Sequence, residues 1–147
     1  MGKRSTGRKL GMQALYQAEL RKEDVDNFLE DFLSEAESLD ETKDFAKELA
    51  QGAWQNKAEI DKLIKKYAID WDLDRITIID KSLLRMAFYE LIYVKVPARI
   101  VVNEMVELAK KFCEDESPKF LNGIVGKFIQ ENPDKVNTVS KEVNKKK

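Results

Sequence analysis

The chain contains no histidine, and among its 147 residues there is one cysteine, Cys113. Without imidazole there is no histidine base, no Ser-His or Cys-His nucleophile pair and no histidine metal ligand, so most common hydrolase and zinc chemistries are closed. A lone cysteine allows no internal disulfide. Apolar residues never continue for the roughly 18 positions that a membrane span requires. The N-terminus lacks the apolar stretch of a signal peptide, which leads us to expect a cytoplasmic location. The six glycines are scattered and build no phosphate loop ahead of a helix. No segment alternates apolar and polar residues for long enough to make a strand. Carboxylates are plentiful, but none sits in a context that argues for acid/base work. No enzyme, metal or cofactor reading finds residues to rest on.

What is present is charge and helical periodicity. A hydrophobic share of 43% beside 36% charged residues is that of a globular protein, and the length suits one ordinary domain. The net charge of −1 hides an asymmetry. Before Glu19 the only charged side chains are Lys3, Arg4, Arg8 and Lys9. From Glu23 to Glu48 acids dominate, opposed only by Lys43 and Lys47, and the end turns basic again at Lys141, Lys145, Lys146 and Lys147. Such separation fits a basic surface for a polyanion on an acidic body, or simply solvated helix faces and a loose tail.

From about Thr6 to Arg21, Leu10, Ala14 and Ala18 recur every four residues, a helical pattern. Arg4 and Arg8 are four apart and share a face. Cations at a helix N-terminus oppose the macrodipole, at some tenths of a kcal/mol each. That placement favours binding over structure for Arg4, Arg8 and Lys9. Gly11 implies a close neighbour or a weak helix. A second helix carries Val25, Phe28, Leu29, Phe32, Leu33 and Ala36 on one face. A third is expected to start near Thr42 as N-cap and to end at Asn56 or continue through Ile60, Leu63, Ile64 and Tyr67.

Periodicity breaks at Asp70–Arg75, which we read as a linker between helical halves at about 5–70 and 75–131. Trp71 and Leu73 are expected to plug the interface between those halves. Ile78–Phe128 has doubled apolar stripes, including Leu83, Leu84, Phe88 and Leu91, and is taken as the core of the chain. Pro97 stops one helix. Ser117 as N-cap with Pro118 at the first helical position starts the last. Residues 133–147 read as a disordered basic tail.

Among candidate site residues, Glu104 and Glu107 with Lys110 and Lys111 read as an ion-paired solvated face. Cys113 reads as a half-buried, inert thiol. Gly123, inside an apolar helix pattern, suggests close helix packing. Phe120 beside Lys119 at a helix start suits stacking on an unpaired base with a phosphate contact, or else core packing. Tyr16 and Tyr89 are compatible with core positions.

Four segments, in order, carry a family resemblance: Ala14-Leu15-Tyr16-Gln17; Leu83-Leu84-Arg85-Met86-Ala87-Phe88-Tyr89-Glu90-Leu91; Pro97 followed by Val102-Asn103-Glu104 and Val106-Glu107-Leu108-Ala109-Lys110; and Ser117-Pro118-Lys119-Phe120-Leu121-Asn122-Gly123-Ile124. Together they resemble the NusB family of transcription antitermination factors up to about Ile129. The resemblance implies an all-α helical bundle of two small subdomains with about seven helices. It implies binding to the boxA element of nascent RNA together with the small-subunit ribosomal protein NusE. The outcome would be read-through by RNA polymerase, alongside other Nus factors, in ribosomal RNA operons. By position, the RNA surface would combine Lys3, Arg4, Arg8 and Lys9 with Glu116, Lys119 and Phe120, and the partner surface would include Tyr16 and Asp80. A homodimer is compatible with the family. Two departures are visible: Ser5-Thr6-Gly7 interrupt the N-terminal basic cluster, and Met105 stands where a small residue is usual. The alternative reading is a helical adaptor that binds only proteins through its acidic face.

Overall fold

Seven α-helices make up the computed structural model, which describes residues 2–138: α1 (Lys3–Arg21), α2 (Leu29–Ser34), α3 (Asp40–Gln55), α4 (Lys57–Tyr67), α5 (Ile78–Tyr89), α6 (Ala98–Phe112) and α7 (Ser117–Glu131). Short 3-10 turns occupy Val25–Asn27, Leu73–Arg75 and Pro133–Lys135. No strand occurs among the described residues, and none of the helices there is long and apolar enough to cross a membrane. The all-α expectation holds.

Helix α5 is the element around which the others assemble. Its doubled stripe buries Leu83, Leu84 and Phe88 completely, and it packs against α1, α3, α4, α6 and α7. One apolar stripe serves one neighbour, whereas paired apolar residues every turn serve several. Phe88 meets Phe128 of α7 edge-to-face at 5.1 Å, and Phe128 meets Tyr67 of α4 in the same manner at 5.7 Å. These three rings tie α4, α5 and α7 with the geometry that aromatic quadrupoles favour. The most extensive pairing elsewhere is α1 on α3. Gly11 is explained by it, since a Cβ there would lie 3.3 Å from Leu49 Cβ and 3.4 Å from Met86 Sδ. A close neighbour, not a weak helix, is the reason for that glycine.

A polar lattice crosses the same helices. Arg85 of α5 donates two hydrogen bonds to Asp61 of α4, at 2.9 and 2.8 Å, and one to Glu19 of α1 at 2.7 Å. Lys81 Nζ lies 3.5 Å from the other Glu19 oxygen. Burial alone would push the Glu19 carboxyl up, but the Arg85 hydrogen bond and charge, with Lys81, outweigh it and hold Glu19 below its ordinary value.

Several local expectations change. The second helix is a 3-10 turn followed by the short α2, because Phe28 departs from helical geometry between them. Helix α3 begins at Asp40 with Leu39 at the cap position, and Thr42 is buried inside it. Asn56 does separate α3 from α4. Helix α5 stops before Pro97: a π turn at Glu90–Val94 follows it, and Lys95 closes the segment in the left-handed region at φ 69°. Ser117 opens α7 within the helix, and its hydroxyl is spent on Asp80 and not on a cap. Among the described residues Gly123 has nothing within 4 Å of where a Cβ would sit, so close packing between them does not explain it. Trp71 is 49% exposed and leans on Phe120 of α7 instead of plugging an interface. The start of the supposed tail is ordered, with Val136 buried and the Ala98 amide donating to Asn137 O at 2.8 Å. The remainder of that segment, 139–147, lies outside the described residues.

Candidate nucleic-acid interface

Two places collect the residues singled out above. The first is the N-terminal turn of α1. Arg4 lies 4.3 Å from the centroid of the Phe45 ring, and Arg8 lies 5.3 Å from it. The four-residue spacing does set both on the face toward α3. Their fates then diverge. Lys3 and Arg4 are exposed, Lys3 pairing with Glu41 on the surface, a contact worth little in water. Lys9 is half-buried.

Arg8 corrects the expectation of a surface cation. It is 4% exposed, and its Nε and Nη2 donate to Glu90 at 2.8 and 2.7 Å. Glu90 is 1% exposed. Burial raises the Glu90 carboxyl above its ordinary value, and the Arg8 hydrogen bonds and charge oppose that rise. Glu104 joins from α6, accepting from Ser5 Oγ at 2.8 Å and lying 3.8 Å from Arg8 Nη1. Arg8 is thus an internal tie: Nε and Nη2 are spent on a buried carboxylate, and a side chain 4% exposed presents almost no surface to a phosphate. Glu90 was missed by sequence reasoning. The π turn that begins with it leaves no mark in composition, although such turns recur at functional positions.

The second place is a cleft of about 600 Å³ where the N-termini of α5 and α7 converge. Trp71, Arg75, Thr77, Asp80, Glu116, Ser117, Lys119 and Phe120 are among the residues that line it. Three of the expected RNA contacts, Glu116, Lys119 and Phe120, therefore meet in one concavity. Phe120 is half-buried, its ring edge-on to Trp71 at 5.3 Å. Core packing and a place in the cleft lining coexist there. Thr77 caps α5 by accepting from the Asp80 amide at 3.2 Å. Asp80, expected on a partner surface, is buried, and Oδ2 accepts from Ser117 Oγ at 3.0 Å. Tyr16 is half-buried on α1 and is not among the residues lining the cleft. Cys113 borders Asp80, and its thiol is pushed up to about 12, by burial first and then by the Asp80 carboxylate. It stays protonated and unreactive at neutral pH.

Helix α6 links the two places. Glu104 touches the α1 terminus and Cys113 adjoins the cleft. Nine residues at 1.5 Å each separate them by about 14 Å along the helix. Lys111, exposed, stands between, beside Ser5, Glu104 and Glu107. Trp71 and Arg75 were not foreseen as site residues; only the cost of solvating an indole signalled Trp71.

Comparison with known proteins adds the following. Residues 5–130 match the model of the NusB family. A transcription antitermination protein NusB from Streptomyces coelicolor is 37% identical over 137 residues, covering 90% of this chain and 96% of its own length. Another, from Listeria monocytogenes, is 36% identical, covering 88% and 98% respectively. Among solved structures, NusB of T. maritima superposes with a TM-score of 0.80 at 34% identity, over 89% of this chain and 92% of its own. A chain from the crystal structure of antitermination factors NusB and NusE in complex with dsRNA gives 0.81 at 26% identity, over 89% and 98%.

Proposed function

The chain belongs to the NusB family, and from that premise we propose that it is a transcription antitermination factor that binds boxA RNA of nascent ribosomal transcripts together with the ribosomal protein NusE. Read-through by RNA polymerase, with the other Nus factors, is the outcome. The observation that carries the reading is the convergence of Lys119, Phe120, Arg75 and Trp71 in one cleft at the start of α7. Aromatic edges beside cations suit unpaired bases with their phosphates. Lys3 and Arg4, exposed at the other end of the α6 connection, supply further phosphate contacts. Arg8 and Glu90 hold that terminus in place from beneath. The family's association with NusE and RNA in a solved complex supports the partner assignment.

The cytoplasm, where transcription proceeds, is the location this function requires, and its chemistry is recognition without catalysis. Titration of boxA RNA against the chain, with and without NusE, and with a scrambled RNA as control, tests the proposal. Preference for boxA that strengthens with NusE is expected. Equal binding of both RNAs in both conditions would favour a protein-only adaptor.

A further inference from the structure

Helix α3 carries a stripe that neither the cleft nor the basic terminus uses. Asp44, Glu48, Gln51 and Gln55 recur at helical spacing, so they share one face. Gly52 lies in the same stripe, and a Cβ there would run into the Tyr89 ring. The glycine thus lets Tyr89, at the end of α5, lie directly on the α3 backbone. Tyr93, from the π turn, stacks on Tyr89 with centroids 5.5 Å apart and planes 21° from parallel. Tyr89 packs against the core, whereas Tyr93 is 45% exposed, so the pair offers an aromatic surface to solvent. A recess of about 410 Å³ opens beside Tyr89 along the stripe.

The charge around that recess is negative. Asp44 and Glu48 are exposed and form no salt bridge among the described residues. Lys47, the cation in the lining, is held by Glu30 at 2.6 Å and more weakly by Asp44. Gln51 donates to Asp26 at 2.8 Å, which brings a further carboxylate to the border. Burial first, and then the charge of Glu48, raise the Tyr89 phenol above its ordinary value, so the field of that carboxylate reaches the ring.

An RNA phosphate would be repelled here. A cation satisfies both features, since carboxylates attract it by charge and tyrosine ring faces by their quadrupole. Arginine suits the combination better than lysine: its flat guanidinium lies on a ring while its N–H fork meets a carboxylate. The protein uses the same stacking internally, with Arg4 over Phe45 and Arg21 over Phe28.

We propose that the Tyr89–Tyr93 stack and the Asp44–Glu48 stripe form a docking site for an arginine-bearing segment of a protein partner. Tyr93 takes the face of the guanidinium, and the two carboxylates take its N–H groups. Tyrosine and arginine are residue types in which interfaces concentrate their binding energy. None of these residues lines the cleft at the start of α7, so the contact is additional to RNA binding and independent of it.

The test titrates the isotopically labelled full chain, by NMR, with a glycine-serine peptide carrying arginines and with matched lysine, citrulline and glutamate peptides. The amides of Gly52, Gln55 and Tyr93 are expected to shift first, ahead of those around Phe120. The arginine peptide should bind about fivefold tighter than the lysine one. Citrulline keeps the shape without the charge and should bind hardly at all. Tyr93→Leu and Glu48→Gln should each weaken arginine binding about fivefold, with circular dichroism and boxA affinity unchanged. Both side chains are on the surface, so neither replacement endangers the fold. Equal binding of all four peptides, or arginine binding that survives both replacements, would overturn the docking site and leave the RNA reading standing. Loss of boxA affinity in either variant would move the patch to the RNA surface, against the proposal. If sedimentation shows the chain pairing with itself and Tyr93→Leu abolishes that pairing, the occupant is a second copy and the inference falls.

Discussion

Arg8 and Glu90 stand 82 positions apart in the chain and form a buried, two-pronged ion pair. Arg8 comes from the first turns of α1, whereas Glu90 opens the π turn after α5. The pair therefore clamps the basic terminus onto the central helix. Removing one partner strands the other charge away from water.

Arg8→Ala is accordingly expected to destabilise the fold by about 3–5 kcal/mol, because an uncompensated buried carboxylate remains. Urea denaturation measures this directly. Replacing both members with apolar residues of similar volume should recover much of the loss. An unchanged urea midpoint for Arg8→Ala would mean that Arg8 is a surface cation after all.

Lys3→Ala and Arg4→Ala should behave in the opposite way. Both residues are exposed, and Lys3 is held by a surface pair with Glu41. Melting temperature should hardly move, while affinity for boxA RNA falls and the salt dependence flattens by somewhat less than one unit per lost phosphate contact. Unaltered affinity and slope in both variants would take this terminus out of the RNA surface.

Phe120→Ala tests the cleft. Stacking on a base is worth about 1–3 kcal/mol, so RNA binding should weaken by that amount in a filter-binding or anisotropy titration. The half-buried ring also packs against the core, so some stability will be lost as well. A stability loss with no change in RNA affinity would assign Phe120 to packing alone.

Acid should loosen the lattice around Arg85. The Glu19 carboxyl is held below its ordinary value of 4.5 in the folded chain, Arg85 and Lys81 prevailing over burial. Its contribution is therefore fully present above the unfolded value and is lost as pH falls through the folded one. Glu90 acts in reverse: its folded value is raised, so its contribution declines as pH climbs from 4.5 toward that value. Urea midpoints followed from neutrality down through the carboxylate range should show a smaller acid-side drop in Glu19→Gln than in the unaltered chain.

Gly123→Ala and Gly52→Ala should separate two kinds of helical glycine. No described residue lies within 4 Å of a Cβ at Gly123, so alanine there should stabilise by up to about 1 kcal/mol through helix propensity. At Gly52 a Cβ would lie 2.0 Å from the Tyr89 ring, and the forced displacement should cost about 1–3 kcal/mol. Thermal melts of the two variants should move in opposite directions.

Helical periodicity, the doubled stripe of α5, the break near Asp70 and the start of α7 were all legible from the order of residues. Each depends on spacing along one helix, and a helix converts spacing into a face without reference to the rest of the molecule. The same local logic set Arg4 and Arg8 on a common face and joined Lys119 to Phe120. What it could not show was which basic residue would be covered and which acidic one would await it. Arg4 and Arg8 are alike as sequence; only the docking of α1 against α3 and α5 brings Glu90 to one and leaves the other exposed. Likewise Trp71, Asp80 and Phe120 become one cleft only when α5 and α7 converge. Burial and long-range pairing are properties of the assembled helices, and they decided which charges hold the fold together and which remain on the surface.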